Sequence, residues 1–292
     1  MSIEVLRTIR EVRERVAARR RAGDVIGLAP TMGALHEGHG SLMEHARREC
    51  DCVVASIFVN PIQFNQQEDY DRYPRTLAAD VAFCEARGVD LVFAPSVEEM
   101  YPRPLRAFVD VERLSEHLCG AFRPGHFRGV ATVVMKLFQI VQPDRAYFGE
   151  KDAQQLAVIR RMVDDLNLPV TIVGVPIVRE PSGLAMSSRN QRLSEEERTI
   201  AAALYRGLEC AASLIGAGAR DAGEVKGRAL AMLASEPRIR VEYFEIVDPE
   251  EMQPVGEIAG PVRIAAAIWV GSTRLIDNVL AAPEAPAGHP SQ

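Results

Sequence analysis

Two histidines three residues apart, His36 and His39, stand in the glycine-bearing run PTMGALHEGH at 30–39, between a strand-like segment and a helical pattern. Glycine lets the chain turn sharply and approach a ligand, and a helix amino terminus offers unpaired N–H groups and a positive dipole end to an anion. Both imidazoles can then face one phosphate chain; the plainer alternative is an ordinary turn in which they make structural hydrogen bonds. Zinc is disfavoured, because Gly40 stands where HExxH needs its second histidine and no third ligand is evident. GxxxxGK[ST] is absent, so this is no Walker loop. In FVNPIQF (58–64), Asn60 and Gln63 carry amides able to donate to a carboxylate or hydroxyl, unless Asn60 simply caps a helix that Pro61 starts. In FGEKDAQQ (148–155), Lys151 can meet a phosphate, Asp152 can accept from ribose hydroxyls, and Gln155 can turn toward a substrate; a solvated loop would look the same. In AMSSRN (185–190), hydroxyls and a guanidinium suit a clamp over polyphosphate, though a polar linker shares the composition.

The elements that must position these groups alternate. From Val25 to about Val175, β-branched runs (VIGLAP, CVVASIFV, VDLVFAP, RAYF, VTIVGV) are interleaved with helical patterns at SLMEHARRE, 77–87, 131–141 and 154–166. That predicts βαβ units and a Rossmann-like, doubly wound parallel sheet, with ligands at the carboxyl ends of its strands. Ahead of it, Ile3, Leu6, Ile9, Val12 and Val16 read as one helical stripe. After Pro176 the pattern changes. Ser194 followed by Glu197 signals a capping box, alanine-rich helices follow over 195–215 and 223–235, and strands follow at RVEYFEIV and VRIAAAIWV. The expected division is a nucleotide- and acid-binding domain over 1–177, a smaller α+β lid domain over 178–282, and a disordered tail over 283–292.

The 292 residues carry a net charge of −6, which argues against nucleic-acid binding driven by overall charge. With 47% apolar and 25% charged residues the composition is that of an ordinary globular chain. No apolar run approaches the roughly 20 residues that span a bilayer, so no membrane association is expected. Five scattered cysteines, an odd number, fit neither a disulfide scaffold nor a zinc ribbon. A cytoplasmic protein is expected.

Taken in order, PTMGALHEGH, FVNPIQF, YPRT, HFRGV, PDRAYFGEKDAQQL and GLAMSSRN resemble the pantothenate synthetases, the pantoate–β-alanine ligases, over about residues 25–195. HxGH and a serine-rich loop also occur in the wider nucleotidylyltransferase superfamily; GEKDAQQL and NPIQF narrow the resemblance. It implies that ATP and pantoate form a pantoyl adenylate with release of pyrophosphate, and that β-alanine then displaces AMP to give pantothenate. It places Met32, Gly33, Ala34, Leu35, His36, Glu37, Gly38 and His39 at the nucleotide, with His39 as proton donor, His36 on the phosphates and Lys151 on the developing charge. Gly149, Glu150 and Asp152 would meet the nucleotide near its ribose, and Val178 the adenine. Met186, Ser187, Ser188 and Arg189 would close over the β- and γ-phosphates. Gln63 and Gln155 would bind pantoate, supported by Asn60, with Gln63 also near β-alanine.

Mg²⁺ is implied by the polyphosphate, but no protein ligand for it is assigned. Asp80 matches one position of an acidic cluster seen in some relatives, and Ala79 precedes it here. Gly40 stands where the family usually has a bulky aliphatic residue, which predicts a looser first helical turn and nucleotide binding weaker by about 0.5–1 kcal/mol. A homodimer through the larger domain is implied too, with CVVASIFV or its neighbours as its surface. Two other readings share the motifs: a nucleotidylyltransferase acting on a phosphorylated acceptor, and a non-catalytic nucleotide sensor.

Overall fold

The computed structural model describes residues 3–283. The tail expected from 283 therefore lies, except for Pro283, outside the described residues. The chain divides into two compact units, one taking residues up to Glu116 together with Gly120–Val178, the other His117–Cys119 and the chain from Arg179 onward.

In the first unit six parallel strands, β1 (Glu4–Leu6), β2 (Ile26–Thr31), β3 (Cys52–Ile57), β4 (Leu91–Phe93), β5 (Arg145–Gly149) and β6 (Thr171–Val175), lie in the order β1-β4-β3-β2-β5-β6. The longer helices are α1 (Ile9–Arg21), α2 (Glu37–Glu49), α4 (Leu77–Glu85), α7 (His126–Val141) and α8 (Ala153–Asp165); the short ones are α3 (Gln67–Asp71), α5 (Val97–Met100) and α6 (Cys119–Phe122), whose first residue falls with the second unit. Met43 and Ala46 of α2 and Cys84 of α4 share a core with Val53, Ala55 and Val92 of the sheet, while α7 packs on α1 and α8. The expected doubly wound parallel sheet is therefore present, and its inner strands β2 and β3 are mostly apolar because both faces are covered.

The second unit has α9 (Glu195–Ala201), α10 (Ala203–Gly216) and α11 (Ala222–Ala234) with an antiparallel sheet of β7 (Ile239–Val247), β8 (Val262–Val270) and β9 (Thr273–Ala281). Its core gathers Leu204, Leu208, Ile215, Phe244, Ile264 and Ile268. The Ser194–Glu197 capping box is formed in both directions.

Four sequence expectations are corrected, and one strand has no counterpart among them. The apolar stripe at the amino terminus is split: Leu6 lies on β1, and only Val12 and Val16 are buried along α1. The break follows from Thr8, whose hydroxyl accepts from the Glu11 amide and starts the helix there. The helix expected over 195–215 is two helices, meeting at Ala202. The helix expected from 131 begins at His126, entered through Gly125 at φ 79°. β9 escaped the pattern because Asp277 and Asn278 interrupt its apolar residues; both are buried, Asp277 facing Arg179 and Asn278 facing Arg263. Finally, β3 cannot supply a dimer surface, since it lies between β2 and β4 with Cys52–Ala55 fully covered.

Candidate active site

Doubly wound sheets open a crevice where successive crossovers leave in opposite directions. Here β2 leads to β3 on one side and β5 leads to β6 on the other, while β2 and β5 are themselves neighbours. The turn after β2 carries His36 and His39, and the turn after β5 carries Lys151 and Asp152, so their convergence is a consequence of strand order. Asn60 and Gln63 follow β3, the next strand along.

The turn after β2 is held by buried polar groups. Thr31 donates its hydroxyl to the Ser56 carbonyl at 2.7 Å and accepts from the Gly33 amide at 3.2 Å. Gly33 and Ala34 then both take positive φ, 83° and 50°, a bend that a non-glycine residue adopts only under restraint. The restraint is Asp80, 4% exposed, whose two carboxylate oxygens accept from the Ala34 amide at 3.1 Å and the Leu35 amide at 2.8 Å. The Thr76 hydroxyl donates to the same carboxylate at 3.1 Å. Asp80 is thus the anchor of the phosphate-suited turn. No local spacing in the sequence ties Asp80 to a turn some 45 residues earlier.

The two histidines cap the helix they introduce. His36 Nδ1 accepts from the Gly38 amide at 3.1 Å, and His39 Nδ1 accepts from the His36 amide at 3.3 Å. With Nδ1 an acceptor in each, the single proton of the neutral ring sits on Nε2, so both rings present an N–H donor beyond their own backbone. The structural and chemical readings of these histidines therefore both hold, one for each nitrogen. The rings lie 4.1 Å apart between centroids. His36 is held down to about pKa 4, chiefly by removal from water and then by the charge of Lys151. His39 is held down to about 3 by removal from water, by His36 and by Lys151. At neutral pH the site thus holds two neutral donors within the field of one ammonium.

Gly149 ends β5, and a Cβ built there would meet no atom of the chain within 4 Å, so the fold itself does not demand glycine at this position. Glu150–Asp152 form a 3-10 turn that leads into α8, whose first turn carries Gln155, half-buried. Val178 is the last residue of the first unit, three residues past β6.

Asn60 precedes a 3-10 turn (Pro61–Gln63), but its side chain caps nothing. Instead its amide donates to Gln63 Oε1 at 3.0 Å and to the Gly129 carbonyl at 3.2 Å. Gln63 Nε2 lies 3.0 Å from Met32 Sδ, so Met32 meets the glutamine as well as the histidine turn. Gly129 is required here, because a Cβ would come within 2.4 Å of the Ile62 carbonyl.

Gly40 also has a reason in this chain. A Cβ there would fall 2.3 Å from Arg87 Nε, whose guanidinium covers the first turn of α2, pairs with Glu37 at 2.6 Å and stacks on Phe83 at 3.4 Å. The space an aliphatic side chain would take is occupied from α4's end of the fold.

In the second unit, Ser187 Oγ accepts from the Arg189 amide and starts the 3-10 turn Ser188–Arg192. Asn190, 4% exposed, donates to Glu180 Oε1 at 2.9 Å and to the Ala185 carbonyl at 3.1 Å. Arg198 joins them, donating to the Asn190 carbonyl at 3.0 Å and to Glu180 at 3.4 Å. Met186, Ser187, Ser188 and Arg189 are thus carried on a pegged turn.

The chain matches the family model described as pantoate-beta-alanine ligase over residues 4–280. It is 56% identical over 278 residues to a pantothenate synthetase of Heliobacterium modesticaldum, covering 94% of this chain and 99% of that one. It is 54% identical to one of Sinorhizobium medicae, covering 97% of each. Among solved structures, pantothenate synthetase from Thermus thermophilus matches with a TM-score of 0.89 at 50% identity over 95% of this chain and 99% of that one. Pantoate-beta-alanine ligase from Francisella tularensis, complexed with beta-gamma ATP and beta-alanine, matches with a TM-score of 0.77 at 34% identity, over 95% and 97% of the two chains.

Proposed function

The chain belongs to the pantoate–β-alanine ligase family, and from that premise we propose how its own residues run the reaction. It is an ATP-dependent ligase that joins pantoate to β-alanine, which sets aside the nucleotidylyltransferase and sensor readings. The proposed course is attack of the pantoate carboxylate on the α-phosphorus, release of pyrophosphate, and displacement of AMP from the pantoyl adenylate by the amine of β-alanine.

The observation that carries the residue assignment is the pair of Nε2–H donors fixed by Nδ1 capping, in the field of Lys151, at the β2–β5 switch point. As the carboxylate adds, negative charge grows on the phosphoryl oxygens; donors already aimed, with no reorganisation left to do, lower that barrier. His39 and His36 serve as neutral hydrogen-bond donors, and Lys151 supplies the full positive charge. A proton-donor role for His39 as imidazolium does not suit a ring held at about pKa 3. Gly33, Ala34, Leu35, Glu37 and Gly38 shape the phosphate side of the turn; the amides of Gly33, Ala34, Leu35 and Gly38 are spent on Thr31, Asp80 and His36, and α2's amino terminus adds its dipole. Gly149 leaves room for the nucleotide, with Glu150 and Asp152 beside its ribose and Val178 at the base. Gln63 and Gln155 receive pantoate with Asn60 holding Gln63, Met32 of the nucleotide turn lies against Gln63 Nε2, and Gln63 lies near β-alanine. That Met186, Ser187, Ser188 and Arg189 meet the β- and γ-phosphates rests on the family resemblance alone.

Mg²⁺ enters this proposal as part of the nucleotide substrate. Asp80, the acidic residue matched to a metal position in some relatives, already accepts three hydrogen bonds through its two oxygens. No ligand from this chain is assigned, and no step is routed through the ion. We further propose a cytoplasmic homodimer. Its support is the family resemblance and, for the compartment, cysteines that are all free, four of them buried; sedimentation equilibrium checks the dimer.

The deciding experiment mixes the protein with MgATP and pantoate and withholds β-alanine. One pyrophosphate per site with an acyl adenylate retained on the protein is expected, followed by AMP and pantothenate when β-alanine is added. Pyrophosphate release that requires β-alanine from the start would reject the adenylate route.

A further inference from the structure

The turn after β4 delivers a residue to the site that neither its motifs nor the family assignment singles out. α5 is capped by Ser96, whose hydroxyl accepts from the Glu99 amide at 3.1 Å, and it ends at Tyr101, whose own amide returns to the Val97 carbonyl at 2.7 Å. The Tyr101 ring lies 6.0 Å from Phe58 at the end of β3, with Lys136 Nζ 5.5 Å from its centroid. Its hydroxyl donates to Asn60 Oδ1 at 2.7 Å. Burial raises its pKa well above the ordinary tyrosine value, so the hydroxyl keeps its proton at every pH at which the enzyme works.

A side-chain amide has two ends of nearly equal size and opposite polarity, and only its partners decide which end points where. Asn60 is 1% exposed, and both ends of its amide are engaged: Oδ1 takes the tyrosine hydroxyl, and the two N–H groups of Nδ2 serve Gln63 Oε1 and the Gly129 carbonyl. With Gln63 Oε1 so engaged, Gln63 Nε2 is the end that points toward Met32. We infer that Tyr101 is a positioning residue for pantoate: through Asn60 it sets Gln63 so that this side chain offers N–H donors, and not a carbonyl, to the acceptor oxygens of the hydroxy acid. The inference rests on the reading of Gln63 as a pantoate-binding residue.

Tyr101→Phe removes the donor and leaves a buried Asn60 oxygen without it, which favours reversed amide orientations. The test measures KM for pantoate and for ATP, and kcat, in Tyr101→Phe, Gln63→Ala and the double variant, with circular dichroism and Tm as fold controls. The pantoate KM of Tyr101→Phe is expected to rise about tenfold while the ATP KM stays within about twofold, and the same change is expected to be silent when Gln63 is already alanine. A pantoate KM unchanged by Tyr101→Phe overturns the inference, as does an equal rise in both KM values or the same rise in the Gln63→Ala background. If Gln63→Ala itself leaves the pantoate KM unmoved, the reading of Gln63 fails and this inference falls with it; a Gln63 effect without a Tyr101 effect overturns the inference alone. Asn60→Asp gives a second route should Tyr101→Phe lose its fold. A carboxylate of the same size cannot donate to Gln63, so Gln63 turns its NH₂ inward and its carbonyl toward the substrate. The pantoate KM is then expected to rise by more than tenfold with ATP KM again spared, and an unchanged pantoate KM overturns the inference.

Discussion

The histidine turn after β2 and the serine turn at 186–189 both resemble polyphosphate sites, yet they are built on opposite plans. In the first, the same side chains hold the backbone and face outward: His36 and His39 each spend Nδ1 on an amide of the turn and keep Nε2–H for a ligand. In the second, the labour is mostly divided. Asn190, Glu180 and Arg198 hold the turn from outside the clamp segment, and Ser187 adds its hydroxyl, which accepts from the Arg189 amide. Substitutions in the first plan change structure and chemistry together, whereas in the second they separate.

The largest expected effect tests the charge that the first plan does not itself supply. Lys151→Ala should lower kcat by two or more orders of magnitude with an unchanged circular dichroism spectrum, because the two neutral rings cannot replace an ammonium; near-normal turnover would remove Lys151 from the mechanism. Next comes the direct contrast. His39→Ala should cost about a hundredfold in kcat and also about 1 kcal/mol of stability through the lost cap, while Ser188→Ala should cost about tenfold or less in activity and leave Tm unmoved. A His39→Ala protein as stable as the parent would break the comparison.

The third prediction concerns pH. The unfolded chain's histidines titrate near 6.5, while His36 and His39 stay neutral in the fold down to about 4 and 3. Between those values the unfolded state binds more protons, so stability falls as pH drops below about 6.5, and His39→Asn should flatten that fall in a denaturant series. For the same reason kcat/KM should show no acid limb from either ring between about pH 5.5 and 8. An acid limb near 6.5 that His39→Asn removes would return His39 to the role of proton donor. The smallest effect is expected at Gly40. Gly40→Ala should gain helix propensity and displace Arg87 from Glu37, a partly exposed pair, for a net change within about 0.5 kcal/mol by thermal melt and an ATP KM within about twofold.

The alternation of short β-branched runs with helical patterns was enough to predict the parallel sheet, and the placement of each motif just after a strand was enough to predict one face for the chemistry. Both are local signals, carried by residues a few positions apart: the glycines of PTMGALHEGH, Pro61 behind Asn60, Ser194 three before Glu197. What remained hidden depends on partners distant in the chain. Nothing near His36 or His39 announces which nitrogen carries the proton; that follows from hydrogen bonds and from burial that only the packed sheet creates. Asp80 becomes the anchor of Ala34 and Leu35, and Arg87 the reason for Gly40, only because α4 is folded back beside the turn after β2. β9 went unread because its buried Asp277 and Asn278 look like surface residues until Arg179 and Arg263 are beside them. Periodicity and turn chemistry act over one or two turns of chain and so are written in order along it, whereas polarity, tautomer and amide orientation are set by whichever groups the tertiary fold brings into contact.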